Sequence, residues 1–187
     1  MTSRQLPSLA AEQAVTDLRL ILAEHKRSQA PITLRPGRIP LAGGDPERRR
    51  RELTLAALVA VVEHFSLHLL IKTTPVVNES SVASWPKQEK AWKDHHNVDL
   101  RQDTAEYSVV RGFIEARNAV LHGLGELTKM QQQPNKLPHV LQDLKKARIE
   151  LDGIRLVVTK RDLDRCSEHS RRFVSQLDLI SRSFTAL

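Results

Sequence analysis

Apolar residues recur along this chain at helical spacing, broken by polar and proline-rich stretches. Between residues 9 and 27, Ala11, Val15, Leu18 and Leu22 return every three or four positions with charges between them, predicting an amphipathic helix. Residues 28–47, rich in proline and glycine, read as a linker or a laid-down arm. The segment 45–72 is apolar nearly all round and predicts a central helix, with Asp45 as its cap and Pro46 in its first turn. A loop over 73–86 follows, then a short helix from Pro86 to about residue 95 with Trp85 and Trp92 on its packed side.

Residues 103–122 predict the next helix. Val110, Ile114, Arg117 and Leu121 form one stripe, flanked by Val109, Phe113 and Val120. Gly123 and Gly125 are its stop signal and put His122 in the last turn. The polar stretch 129–139 reads as a surface loop, and Pro138 opens a helix to about residue 148. Between 148 and 159 the period shortens to two around Asp152-Gly153, a hairpin signal. Thr159 with Asp162 resembles a capping box for a last helix carrying Leu163, Cys166, Phe173, Leu177, Ile180 and Phe184 on one face. The sum is an all-α bundle of five or six helices with one small hairpin and no internal repeat.

Composition narrows the partners. The 187 residues suit one domain, and 40% hydrophobic residues can build its core, mostly from aliphatics because aromatics are only 4%. A net charge of +7 and a pI of about 9.9 favour an anionic partner, nucleic acid first. Cys166 is alone, so no internal disulfide forms, which fits a reducing cytosol. The N-terminal residues lack the apolar core of a signal peptide, and the run 55–62 is too short to span a bilayer. A soluble cytoplasmic protein without a membrane partner is the expectation.

Several chemistries have weak footing. His64 and His68 share a helix face beside Glu63, but no further cluster completes a metal site, so packed or interface histidines are the expectation. Asp94-His95-His96 reads as a solvated loop end. No glycine-rich nucleotide cradle and no nucleophile elbow occurs, and Cys166 sits on an apolar face. Arg48, Arg49, Arg50 and Arg51 stand at the end of their helix that favours acids, either as a solvated turn or as a phosphate-facing patch that guides RNA.

The stretch Arg117-Asn118-Ala-Val-Leu-His122 carries the sharpest chemistry. Imidazole can exchange protons near neutrality, and a guanidinium grips phosphate oxygens with two N–H groups. RNA brings its own nucleophile, the 2′-hydroxyl, so no metal is required; one histidine does not easily serve both proton steps at once, whereas two, from two chains, can. Five residues turn a helix by about 140°, so Arg117 and His122 need a cleft at the helix end, or a second chain, to converge. Asn118 and His122 share a face, where Asn118 would orient the histidine or the RNA; Glu115 and Glu106 are weaker candidates for tuning the site. The bland alternative makes Arg117 a structural residue paired with an acid inside the bundle, and His122 a helix cap.

This motif resembles the R-x(4–6)-H signature of the HEPN superfamily, in its R-N-x-x-x-H form. Its surroundings, residues 113–128, are similar to prokaryotic proteins of the RiboL-PSP-HEPN type. The arginine-led helix resembles that group's first core helix, and residues 152–178 its closing hairpin and helix. The likeness covers about 47–182, which divides the chain into an N-terminal helix and arm over 1–46 and a HEPN-like helical bundle domain over 47–187. The resemblance implies a metal-independent endoribonuclease, often a toxin or antiviral defence effector. Arg117 and His122 would be catalytic with Asn118 in support, and no cofactor takes part. It implies a homodimer whose two motifs meet at the two-fold axis, with RNA as substrate and an antitoxin or activator protein of unknown identity as a further partner. The tyrosine that a nucleotidyltransferase antitoxin modifies in some relatives is absent. Non-catalytic members that bind RNA, a nucleotide or a partner protein supply the alternative.

Overall fold

The computed structural model describes residues 6–28 and 45–184, and the middle of the proline- and glycine-rich arm lies outside them. The described residues are mostly helical, an all-α fold with one two-stranded antiparallel sheet. Helices α1 (Leu9–Arg27), α2 (Pro46–Thr73), α5 (Tyr107–Gly123) and α7 (Lys160–Ser183) form the bundle. Shorter α3 (Trp85–His96), α4 (Leu100–Asp103) and α6 (Leu137–Lys146) pack on its flank, and strands β1 (Glu150–Asp152) and β2 (Arg155–Val157) make the hairpin before α7.

Helix α2 is the central element. Asp45 caps it by accepting from the Glu47 amide at 2.9 Å, and Leu55, Leu58, Val62, Phe65 and Leu70 are buried along it. Each such side chain contributes roughly 1.5–3 kcal/mol on leaving water. The apolar run 55–62 is only the middle of a longer one. By length and composition α2 is long and apolar enough to cross a membrane, with a mean hydropathy of 1.8 over its best 18-residue window; half of that window is buried in the bundle. Helix α1 lies on α2 and α7 through the small Ala11 and Ala14 and through Leu18. Its cap, Ser8, is tied to α7: the Ser8 amide donates to Asp178 at 3.1 Å and its hydroxyl to the other oxygen of that carboxylate.

The helix expected over 103–122 is broken. Thr104 is extended (φ −126°, ψ 122°), so the one-turn α4 ends before it and α5 begins at Tyr107. The Asp103 carboxylate accepts from the Asp99 amide at 2.7 Å and Thr104 donates to the Leu100 carbonyl at 2.6 Å, closing α4 on itself. The left-handed residues after α5 are Leu124 (φ 54°) and Gly125 (φ 91°), so Gly123 remains in the helix. Trp85 and Trp92 are both buried, Trp85 among the rings of Tyr107 and Phe173. Thr159 and Asp162 form the capping box of α7, whose predicted face is buried from Leu163 to Leu177 and half-buried at Ile180 and Phe184. In the hairpin Asp152 pairs with Arg155, so the two-residue turn is Gly153-Ile154, one position later than Asp152-Gly153; Gly153 supplies the φ of 62° it needs.

Helices α5 and α6 approach unusually closely at Gly112. A Cβ there would lie 2.1 Å from the Asp143 carbonyl oxygen and 2.6 Å from the Ala147 Cβ. Only the missing side chain lets α6 lie against α5 at this depth.

Candidate active site

Polar residues on α5 form a stripe of their own. Arg111, Glu115, Asn118 and His122 fall at helical spacing on one face, and all four line a cleft of about 1040 Å³. The cleft is also lined by α6 and the residue before it, with His139 and Lys136, by Trp85 at the start of α3, and by Glu63 of α2, which pairs with Arg117. The cleft thus gathers Arg117, Asn118 and His122 within a single chain. Its volume lies just above the usual range for small-molecule pockets.

Arg117 is held from two sides. Its Nη2 pairs with Glu63 Oε2 at 3.1 Å, and its Nη1 donates to Asn118 Oδ1 at 3.2 Å. Its buried Nε has no hydrogen-bond partner. Both Arg117 and Glu63 keep about a fifth of their side-chain surface in solvent (22% and 19%), so the pair borders the cleft rather than the core. Asn118 therefore orients the guanidinium; it makes no bond to His122. The acid partner is the one the bland alternative requires for Arg117, while the opening onto the cleft is what a phosphate-binding role requires.

Deeper in the cleft, Arg111 Nη2 pairs with Glu115 Oε1 at 2.9 Å, and its Nε lies 3.7 Å from Asp143 Oδ2 and 4.0 Å from Glu89 Oε1. Burial pulls its pKa down, but Glu115, then Tyr107, Glu89 and Asp143, outweigh it and hold it above the ordinary arginine value. This cation is locked in place. Tyr107 donates its hydroxyl to Glu89, and burial first, then that carboxylate, raise its pKa well above 10, so it stays a neutral donor. Glu115 is buried and accepts from Gln131 Nε2 at 2.8 Å; the same amide donates to the Glu115 carbonyl at 3.0 Å. The polar stretch 129–139 is thus anchored at Gln131, which is buried rather than at the surface.

His122 and His139 are both exposed, and among the described residues neither has a hydrogen bond or ion pair. The cleft therefore combines anchored guanidiniums with unengaged imidazoles, a set able to bind a phosphodiester and to move protons at it.

The other candidates lie elsewhere. Arg48 and Arg49 pair with the buried Glu52 at 2.8 and 3.3 Å, Arg50 with Glu47 at 2.8 Å, and Arg51 donates to the Val158 carbonyl at 2.7 Å. None of the four lines the cleft. Glu52 lies beneath Gly125, where a Cβ would come within 2.7 Å of its Oε1, so this cluster supports the segment just after His122. His64 and His68 are exposed on α2. His96 is half-buried against Phe184, with its Nε2 bonded to Thr74 at 2.6 Å; burial first, then His95, lowers its pKa. Glu106 binds His169 and Arg172, outside the cleft. Burial pushes the Cys166 thiol up to about 12, which removes it as a nucleophile. Among the described residues no three His, Cys, Asp or Glu side chains gather as metal ligands would.

Arg111, Lys136 and His139 have no place in the motif that marks Arg117 and His122. The i, i+4, i+7, i+11 spacing of the polar stripe gives away Arg111 and Glu115; nothing local gives away His139, which reaches the cleft through the turn back into α6. Compared with protein-family models, curated proteins and solved structures, the chain matches none of them.

Proposed function

We propose that this cleft is the active site of a metal-independent endoribonuclease of HEPN type, acting as a homodimer in the cytoplasm as a toxin or antiviral defence effector. The observation that supports the reading best is that Arg117, Asn118 and His122, picked out by their spacing, line one solvent-open cleft together. In the proposed reaction RNA lies along the cleft with a phosphate against Arg117. The 2′-oxygen attacks phosphorus as it loses its proton, the bond to the 5′-oxygen breaks, and that oxygen takes up a proton. The products are a 2′,3′-cyclic phosphate and a 5′-hydroxyl. Arg117 stabilises the charge on the pentacoordinate phosphorus, and His122 carries one of the two protons.

The pairing of Arg117 with Glu63 favours a second reading, a non-catalytic module that binds RNA, a nucleotide or a partner protein. Labelled RNA incubated in EDTA separates the two. The enzyme reading expects cleavage by the wild type, slowed about 100- to 1,000-fold in Arg117→Ala and about 100- to 10,000-fold in His122→Ala. Intact RNA with the wild type, or undiminished cleavage by both variants, overturns it; retarded but uncut RNA selects the binding module.

A further inference from the structure

We infer that His139 is the second proton-transfer residue of the cleft, so that one chain carries both imidazoles its reaction uses. The inference rests on the ribonuclease reading and adds a catalytic group that the motif does not contain.

The chain has eight histidines. Three are engaged by neighbours: His25 by Thr54, His96 by Thr73 and Thr74, and His169 by Glu106. His64, His68 and His95 are exposed but do not line the cleft. His122 and His139 do line it, exposed and without a partner among the described residues. One stands in the last turn of α5, the other in the first turn of α6.

Their relative placement is fixed by the fold. Gly112 seats α6 on α5 at backbone contact distance. Gln131 ties the connecting segment to Glu115 through two hydrogen bonds, and the Thr128 amide donates back to Gln131 Oε1 at 3.0 Å. Arg117 is fixed by Glu63 and Asn118. The cleft thus offers a stationary cation for the phosphate and two imidazoles that no neighbour engages.

Transesterification of RNA needs two such groups. One accepts the proton of the 2′-hydroxyl as the 2′-oxygen bonds to phosphorus. The other donates a proton to the 5′-oxygen as its bond to phosphorus breaks. A proton leaves on one imidazole and arrives from the other, so the step balances without oxidant, reductant or metal. A single imidazole would have to complete both transfers in turn within one transition state.

The test is single-turnover cleavage of an RNA oligonucleotide in EDTA by wild type, His139→Ala, His139→Gln and His122→Ala. Both His139 variants are expected to slow cleavage about 100- to 10,000-fold with little change in KM, because His139 is exposed and its loss leaves packing intact. A substrate with sulfur in place of the scissile 5′-oxygen has a leaving group that needs no proton. It restores cleavage to one of the two histidine-to-alanine variants and not to the other. Mixing His122→Ala with His139→Ala restores nothing, because every chain then has an incomplete cleft. Wild-type rates in His139→Ala beside an inactive His122→Ala overturn the inference and leave the ribonuclease reading standing. Activity regained on mixing overturns it too, since the pair is then assembled from two chains. Uncut RNA with the wild type overturns both.

Discussion

Arginines open α2 and line the cleft face of α5, and both sets are paired with acids of their own chain, but in different surroundings. At the start of α2 each of Arg48 to Arg51 answers a carboxylate or carbonyl of its own chain, and the shared acid Glu52 is buried beneath Gly125. Beside α5, Arg117 is also paired, but its partner Glu63 shares the solvent-open cleft with two unengaged histidines. The α2 cluster lies beneath the backbone just after His122, whereas Arg117 lines the cleft. A run of positive charge in a sequence therefore reports density, while availability depends on which acids the fold delivers to it.

The sharpest way to break this contrast is to remove one arginine from each set. Arg117→Ala is expected to lose cleavage by at least about 100-fold, whereas Arg49→Ala stays within roughly threefold. Equal losses in a single-turnover assay would place the α2 turn on the RNA path. Next in size is Gly112→Ala. It forces backbone atoms apart between α5 and α6 and is expected to cost about 3 kcal/mol, read as a lowered urea midpoint, together with lost cleavage as the cleft walls separate.

Glu52→Gln probes the supporting set. Breaking a fully buried ion pair costs more, but the Arg48 and Arg49 side chains are 26% and 41% exposed and are rehydrated in part, so about 2 kcal/mol is expected. Amide exchange should rise around Gly125, and an unchanged midpoint would show that the cluster carries no structural role. The smallest effect is one of pH. Burial first, then Arg50, keep the His25 imidazole below its ordinary value of 6.5. The unfolded chain then takes up a proton that the folded chain resists, so stability is complete above about pH 6.5 and declines as pH falls below it. Thr54 donates to the Arg50 carbonyl at 2.8 Å and accepts from His25 Nδ1 at 2.9 Å, leaving the buried Nε2 unpartnered. His25→Leu should flatten the decline between pH 7 and 5.5, with the remainder left to His96, whose pKa is also lowered.

Long apolar stripes made the bundle legible. The cores of α1, α2 and α7, the Thr159–Asp162 box and the inert position of Cys166 all follow from local spacing and burial. What local spacing does not carry is where a polar side chain finds its partner. Thr104 interrupts an otherwise helical pattern because Asp99 and Asp103 close the preceding turn on themselves. Gln131 is buried inside a polar stretch because Glu115 lies across from it. In α5 the apolar stripe masks the polar one running from Arg111 to His122, although both have the same period. His139 belongs to the cleft only because the chain turns back after α5 and α6 touches it at a glycine.

That glycine also constrains how the chain can diverge. Drift that exchanges one cation of the cleft for another, or erases its exposed histidines, would leave the architecture standing. A methyl group at position 112 meets main-chain atoms, which no neighbouring substitution can shorten. Descendants that retain this geometry should therefore be recognisable by a bare α-carbon there long after the motif has decayed, and any lineage bearing a larger residue must have rebuilt the approach of α6.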